Sequence, residues 1–423
     1  MNSKVETLDG LRGVAAVAVI FSHILLWMYP YLHTGITDGF QPSEFANQLF
    51  NSPFTFFYKG TSAVILFFIM SGFVLTYSAL RKGASLEILR KSAMKRYFRL
   101  NIPVAASILL CWILAQLGLF VGAEFGLTQP LSTSYTDLPN GFSAIRNAVY
   151  GSILAGNSDF NYVLWSINIE FFGSMLVFAL IALFGGQRMG LALVSLGMCV
   201  FAVTHHVVMV WSMGLFAFGI FLAVMKYRQV LIIDGNDSPR NSVARLVISS
   251  VMLILGVYLL GYNYLSTPYY YPAQIATVIN DFFGKSIDWG FFMPILGSML
   301  VVGCIIVDDR VLAVLKREPF QWLGKLSFSV YLLHTFIISL ILPFTSKYLG
   351  LGFDSIMVSL VSVIAVTLLA ATYFHRYVDE FAIRNASYFA DLIVRMCQDK
   401  PKIESPIIPT PTIGPGDDPG TMV

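Results

Sequence analysis

Apolar runs of about twenty residues recur along nearly the whole chain, interrupted in turn by short basic clusters and by longer stretches rich in Gly, Pro, Asn and aromatic residues. Roughly 20 predominantly apolar residues make one helical crossing of a bilayer, and the pattern predicts ten of them. These are residues 11–29, 61–80, 102–121, 163–184, 190–204, 207–225, 243–262, 289–307, 326–344 and 356–374. The fifth and sixth share one apolar run, and a straight helix through residues 190–225 would reach ~54 Å, well past a ~30 Å hydrocarbon core. A hairpin turning at THHVVMVW is therefore expected.

The basic residues set an orientation. With a cytoplasmic N-terminus, all of the 27 Lys and Arg fall on the cytoplasmic side except Lys59, Arg146, Lys285 and Lys347. That is the positive-inside asymmetry, and it calls for an even number of spans with both termini cytoplasmic. Composition agrees: 56% of residues are apolar and 12% charged, against roughly 25% charged in soluble domains. The expected fold is all-α, a polytopic membrane protein with about ten transmembrane helices.

The non-cytoplasmic stretches 30–60, 122–162 and 263–288 are long, and loops of this length usually carry function. Residues 1–384 read as one membrane domain, 385–400 as an amphipathic cytoplasmic segment and 401–423, with its many prolines, as a disordered cytoplasmic tail. No cleavage site follows a short apolar stretch, so no cleaved signal peptide is expected. Cys111, Cys199, Cys304 and Cys397 are scattered, without the paired spacing of a metal knuckle or disulfide framework. They read as small core residues, and neither a metal nor a permanently bound cofactor is expected.

Ionisable groups inside apolar spans are costly and persist where a cavity or a task holds them. In LDGLRGVAAVAVIFSH, Arg12 and His23 are eleven residues apart, or 1100° at 100° per residue, so they share one helix face ~16.5 Å apart along the axis. Arg96 and Arg99, in KRYFRLNIP, share a face three residues apart and could grip the phosphates of a nucleotide-like molecule, or anionic headgroups. In LWSINIEFF, Ser166 and Glu170 share a face, and a carboxylate so placed could orient a histidine on a neighbouring helix or carry protons. Ser327, Tyr331 and His334 form a polar stripe in LGKLSFSVYLLH, while Ser71 and Gly72 in FFIMSGFVL allow close backbone approach. His375, Asp379, Glu380, Arg376 and Arg384 read as a solvated interfacial ion cluster.

These segments, in this order over about residues 5–384, resemble the acyltransferase-3 family of integral membrane acyltransferases that modify cell-surface glycans. The resemblance implies an acyl-CoA donor, most simply acetyl-CoA, used from the cytoplasmic side, and a glycan or glycolipid acceptor modified on the outer face. It implies His23 as the catalytic residue, with Arg12 in the same motif and Arg96 and Arg99 engaging the donor. Phe171 stands where many members carry a second acidic residue, so Glu170 alone is carried over as a catalytic candidate. Ser71, Ser166, Tyr331 and His334 are candidates for relay or carbonyl polarisation in substrate binding. The expected location is the bacterial inner membrane, with the lipid bilayer and no nucleic acid as partner. A transporter using the same wet interior, or a lipid-binding scaffold, are the readings from other classes.

Overall fold

In the computed structural model the chain is described over residues 5–37, 42–121, 135, 138–203, 205, 207–229, 239–283, 287–350 and 352–398, and among these it is helical, without strands. The principal helices are α1 (Glu6–Met28), α2 (Gly60–Arg81), α3 (Leu86–Gln116), α4 (Leu164–Phe184), α5 (Arg188–Val203), α6 (Val208–Tyr227), α7 (Pro239–Leu260), α8 (Tyr270–Phe283), α9 (Trp289–Val307), α10 (Glu318–Leu349), α11 (Phe353–Phe374) and α12 (Glu380–Gln398). Among the described residues nine helical segments are long and apolar enough to cross a membrane, α11 and α12 counting as one continuous segment. The protein is a multi-pass membrane protein. The exception among the ten expected crossings is α5, whose 16 residues reach only ~24 Å. The expected hairpin falls between α5 and α6, although Thr204 and His206 lie outside the described residues.

α1 runs through the middle of the bundle against α2 and α10. Small residues let it in. A Cβ on Gly13 would stand 2.7 Å from the backbone nitrogen of Gly324, and one on Gly324 2.3 Å from the Asp9 carbonyl oxygen. Close backbone approach of this kind drives helix association where lipid supplies no hydrophobic contrast. The same device joins α2 to α6, since a Cβ on Gly72 would meet the Phe216 carbonyl oxygen at 2.3 Å and one on Gly219 the Ile69 carbonyl oxygen at 2.3 Å.

α3 begins at Ser85, whose hydroxyl accepts from the Ile88 amide, with Glu87 in the first turn, a favourable helix start. From this start the helix runs 31 residues and carries Arg96 and Arg99, longer than one crossing needs. α12 lies against it. Ala382, Ala386 and Ala390 are buried at four-residue intervals, Lys91 pairs with Asp391 at 3.2 Å, and the Phe98 and Phe389 rings stack 5.1 Å apart. Of the expected segment 385–400, residues 385–398 fall within this helix, whereas 399–423 lie outside the described residues. Cys111, Cys199 and Cys304 are buried and free.

The long connections carry short helices at Tyr31–Thr34, Glu44–Phe50 and Gly141–Arg146. They are tied to one another across the sequence: the Ser266 hydroxyl donates to the Phe50 carbonyl at 2.6 Å and the Thr55 hydroxyl to the Gly261 carbonyl at 2.6 Å.

Candidate active site

Two cavities lie inside the bundle, one above the other. The first, with an empty volume of about 640 Å³, collects Arg12, Ser71, Arg96, Arg99, Ser166, Glu170, Ser327 and Tyr331 among its lining residues. Almost every polar residue singled out in the spans meets here, from α1, α2, α3, α4 and α10. Arg96 forms an ion pair with Glu170, and its Nε donates to the Ser174 hydroxyl at 2.8 Å. Glu170 therefore faces an arginine rather than a histidine. Arg12 and Arg99 donate no hydrogen bond to any described residue, although Asp379 lies within electrostatic reach of Arg99. Three guanidiniums against the single carboxylate in the lining leave this arginine cavity strongly cationic, and guanidinium forks suit phosphate oxygens.

The second cavity, about 960 Å³ of empty volume, is lined by His23, His33, Tyr162, Trp165, Trp211 and Phe291 among others. Val64 and Tyr331 line both cavities. The Tyr331 hydroxyl is 2.7 Å from the Ser166 hydroxyl, which in turn donates to the Val163 carbonyl at 2.9 Å. Tyr331 thus donates to Ser166, and the pair forms a partition between a cationic chamber and an aromatic one. Arg12 lines the first chamber and His23 the second, ~16.5 Å apart along α1.

His23 does not stand alone. Its Nδ1 is 2.9 Å from Nε2 of His334, and the rings stack 18° from parallel. His334 is fully buried and lines neither cavity; its Nδ1 lies 2.8 Å from the Tyr331 carbonyl and 3.2 Å from the Val330 carbonyl. A carbonyl only accepts, so His334 carries its proton on Nδ1 and offers the Nε2 lone pair to His23. His23 then carries its proton on Nδ1. Its Nε2 is left as the unprotonated nitrogen, the state a general base needs.

The backbone under this pair is braced. The Asn161 amide donates to the Leu332 carbonyl at 2.8 Å, the Thr335 hydroxyl to Asn161 Oδ1 at 3.1 Å, and the Tyr135 hydroxyl to Thr335 Oγ1 at 3.0 Å. These groups fix the turn of α10 that presents Tyr331 and His334.

His33, Tyr162 and the tryptophans of the second cavity were not singled out from sequence. His33 sits in the connection after α1, where no helical register could have placed it beside His23. Its Nε2 lies 3.1 Å from the Ser22 carbonyl, and burial, reinforced by the nearby Lys59 ammonium, holds it down at about 4. In the cluster expected to be solvated, His375 and Asp379 pair with each other at 2.9 Å and Asp379 is buried. Among the described residues no group of His, Cys, Asp and Glu is placed to hold a metal ion.

The family model of an acyltransferase domain matches residues 5–375. The chain is also similar to the O-acetyltransferase PaAT-1 of Phomopsis amygdali, at 23% identity over 453 aligned positions covering 94% of this chain and 86% of that protein. No solved structure matches it.

Proposed function

The chain belongs to the family defined by this acyltransferase domain and is a membrane O-acyltransferase, and from that premise we propose that it moves an acetyl group from acyl-CoA to a hydroxyl of a glycan or glycolipid. The arginine cavity is the donor site and faces the cytoplasm, as the distribution of basic residues suggests. The phosphates of the donor pair with Arg12 and Arg99, with Arg96 held in place by Glu170. The thioester arm extends past Tyr331 towards the aromatic chamber.

The acceptor occupies that chamber, where Trp165, Trp211 and Tyr162 offer flat apolar faces to a ring and His23 meets its hydroxyl. His23 Nε2 takes the hydroxyl proton as the oxygen attacks the thioester carbonyl. The tetrahedral adduct collapses with cleavage of the C–S bond, and the His23 imidazolium returns the proton to the departing thiolate. His334, accepting from His23 Nδ1, holds the ring in the required tautomer and shares the charge that develops on it. On donor binding the Tyr331 hydroxyl, at the partition, turns its proton from Ser166 to the carbonyl oxygen where negative charge appears, a contribution typically of about 3 kcal/mol in acyl transfer.

The observation that carries this reading is the division of one path into a cationic chamber and a histidine-bearing one, joined at Tyr331. A vesicle assay tests it. Protein reconstituted with labelled acetyl-CoA on the arginine side and a glycan acceptor on the other should transfer label across the membrane, and succinyl-CoA in parallel reads the acyl preference. Transfer only when donor and acceptor share one side would overturn the two-chamber reading.

A further inference from the structure

Away from both chambers, a groove of about 1280 Å³ of empty volume runs along the surface between α1, α2, α7 and the start of α10. It follows α1 from Leu11 to Phe21, about 15 Å at 1.5 Å per residue. Its walls are apolar, with Leu253 and Val257 of α7, Phe21 and Leu11 of α1 and Leu323 of α10 among them. Only two lining side chains are polar, Ser62 and Lys59. Ser62 is satisfied within the protein, its hydroxyl donating to the Leu260 carbonyl at 2.7 Å.

Lys59 is different. It sits immediately before α2 and lines the groove, and its ammonium makes no hydrogen bond or ion pair with any described residue. Burial lowers its ammonium from the ordinary lysine value to about 8, the mark of a cation deprived of water without an anion in return. The groove beside it opens on α7, the least covered of the candidate crossings, with Val247, Val251 and Ile254 turned outward. In a membrane protein that surface meets lipid.

We infer that the groove holds an acyl chain of an anionic phospholipid whose phosphate pairs with the Lys59 ammonium. The dry wall takes the chain, and the phosphate pairs with the charge that Lys59 brings to the groove. The headgroup lies beside the aromatic chamber, because Gly60 lines that chamber and its amide donates to the Ser22 hydroxyl at 3.0 Å, one residue from His23. Lipid binding at this place needs no acyl transfer, so it is measured independently of the proposed activity.

The test uses the full chain in detergent, with dioleoylphosphatidylglycerol or dioleoylphosphatidylcholine added at equal concentration and retained lipid counted by native mass spectrometry. Wild type should retain a phosphatidylglycerol about fivefold more tightly than phosphatidylcholine, the preference a single lysine gives near anionic lipid. Lys59→Gln should lose that preference and Lys59→Arg keep it, while Val257→Trp, filling the groove, should lower retention of both lipids. If Val257→Trp does not fold, Leu253→Trp on the same wall gives the same reading. Equal retention of the two lipids by wild type, an undiminished preference in Lys59→Gln, or full retention by the folded tryptophan variant would overturn the inference.

Discussion

His23 Nδ1 and His334 Nε2 lie 2.9 Å apart, each ten residues beyond a glycine, Gly13 and Gly324, at which their two helices touch. α1 and α10 therefore run parallel and in step, and a backbone contact near one end sets a side-chain contact ~15 Å further on. The histidine pair is a product of helix register. Its consequence is chemical, because the hydrogen bond chain from the Tyr331 carbonyl through His334 leaves His23 Nε2 unprotonated.

His334 should accordingly affect turnover more than donor binding. His334→Ala removes the acceptor that fixes the His23 tautomer, and kcat should fall about 10² to 10³-fold with the acetyl-CoA KM within about threefold, given that general base catalysis is worth about 10² to 10⁴. Steady-state kinetics of the purified enzyme check this split. A change confined to KM would place His334 in binding instead.

The register itself can be broken without touching either histidine. Gly324→Val forces a side chain against the Asp9 backbone, and overpacking of this kind costs about 1–3 kcal/mol. The variant should melt at lower temperature and lose activity at least tenfold even below its melting point, because His334 moves with α10. Gly118→Ala, at a glycine with nothing within 4 Å of an added Cβ but with φ of +67°, should cost stability through backbone strain alone and leave the kinetics of the folded fraction unchanged.

Arg99 carries no hydrogen bond among the described residues and faces the arginine cavity, so its removal should weaken the donor and little else. A charge-assisted hydrogen bond is worth about 1.5–3 kcal/mol, which corresponds to a rise in the acetyl-CoA KM of roughly 10- to 150-fold for Arg99→Ala with kcat changed far less. Truncated donors lacking the 3′-phosphate and diphosphate would show the same loss in wild type and little further loss in the variant.

His33 gives the fold a dependence on pH. It titrates at about 4 in the folded chain against about 6.5 when exposed, first because burial disfavours its charged form and then because Lys59 lies near. Between these values the unfolded chain binds more protons, so stability rises with pH over that window. The contribution is fully present above about 6.5 and is lost as pH falls towards about 4. Thermal melting from pH 4 to 8 should show wild type losing more than His33→Asn on acidification, with a difference of up to about 3 kcal/mol.

Much of this was legible in the chain. The apolar runs gave the helices, and α5 falls short because the period of hydrophobicity cannot show where a hairpin begins to turn. Helical arithmetic put Arg12 and His23 on one face, and the grouping of Arg96, Ser166, Glu170 and Tyr331 followed from the rule that polar residues in spans turn inward. Pairing across helices was not legible. That Glu170 meets Arg96, and that His334 rather than a carboxylate supports His23, depends on glycine contacts such as Gly13 with Gly324 that set interhelical register. His33, Tyr162 and Lys59 come from connections, where no periodicity fixes which way a side chain points.

The central claim is that His23 is the base for transfer between the two chambers, and one measurement bears on it most directly. Wild type and His23→Ala, reconstituted at equal amounts and shown to melt alike and to bind acetyl-CoA alike, are given labelled acetyl-CoA and acceptor, and label in the acceptor is followed with time. The account predicts that His23→Ala transfers label at least 10²-fold more slowly than wild type. Transfer by His23→Ala at the wild-type rate would contradict it.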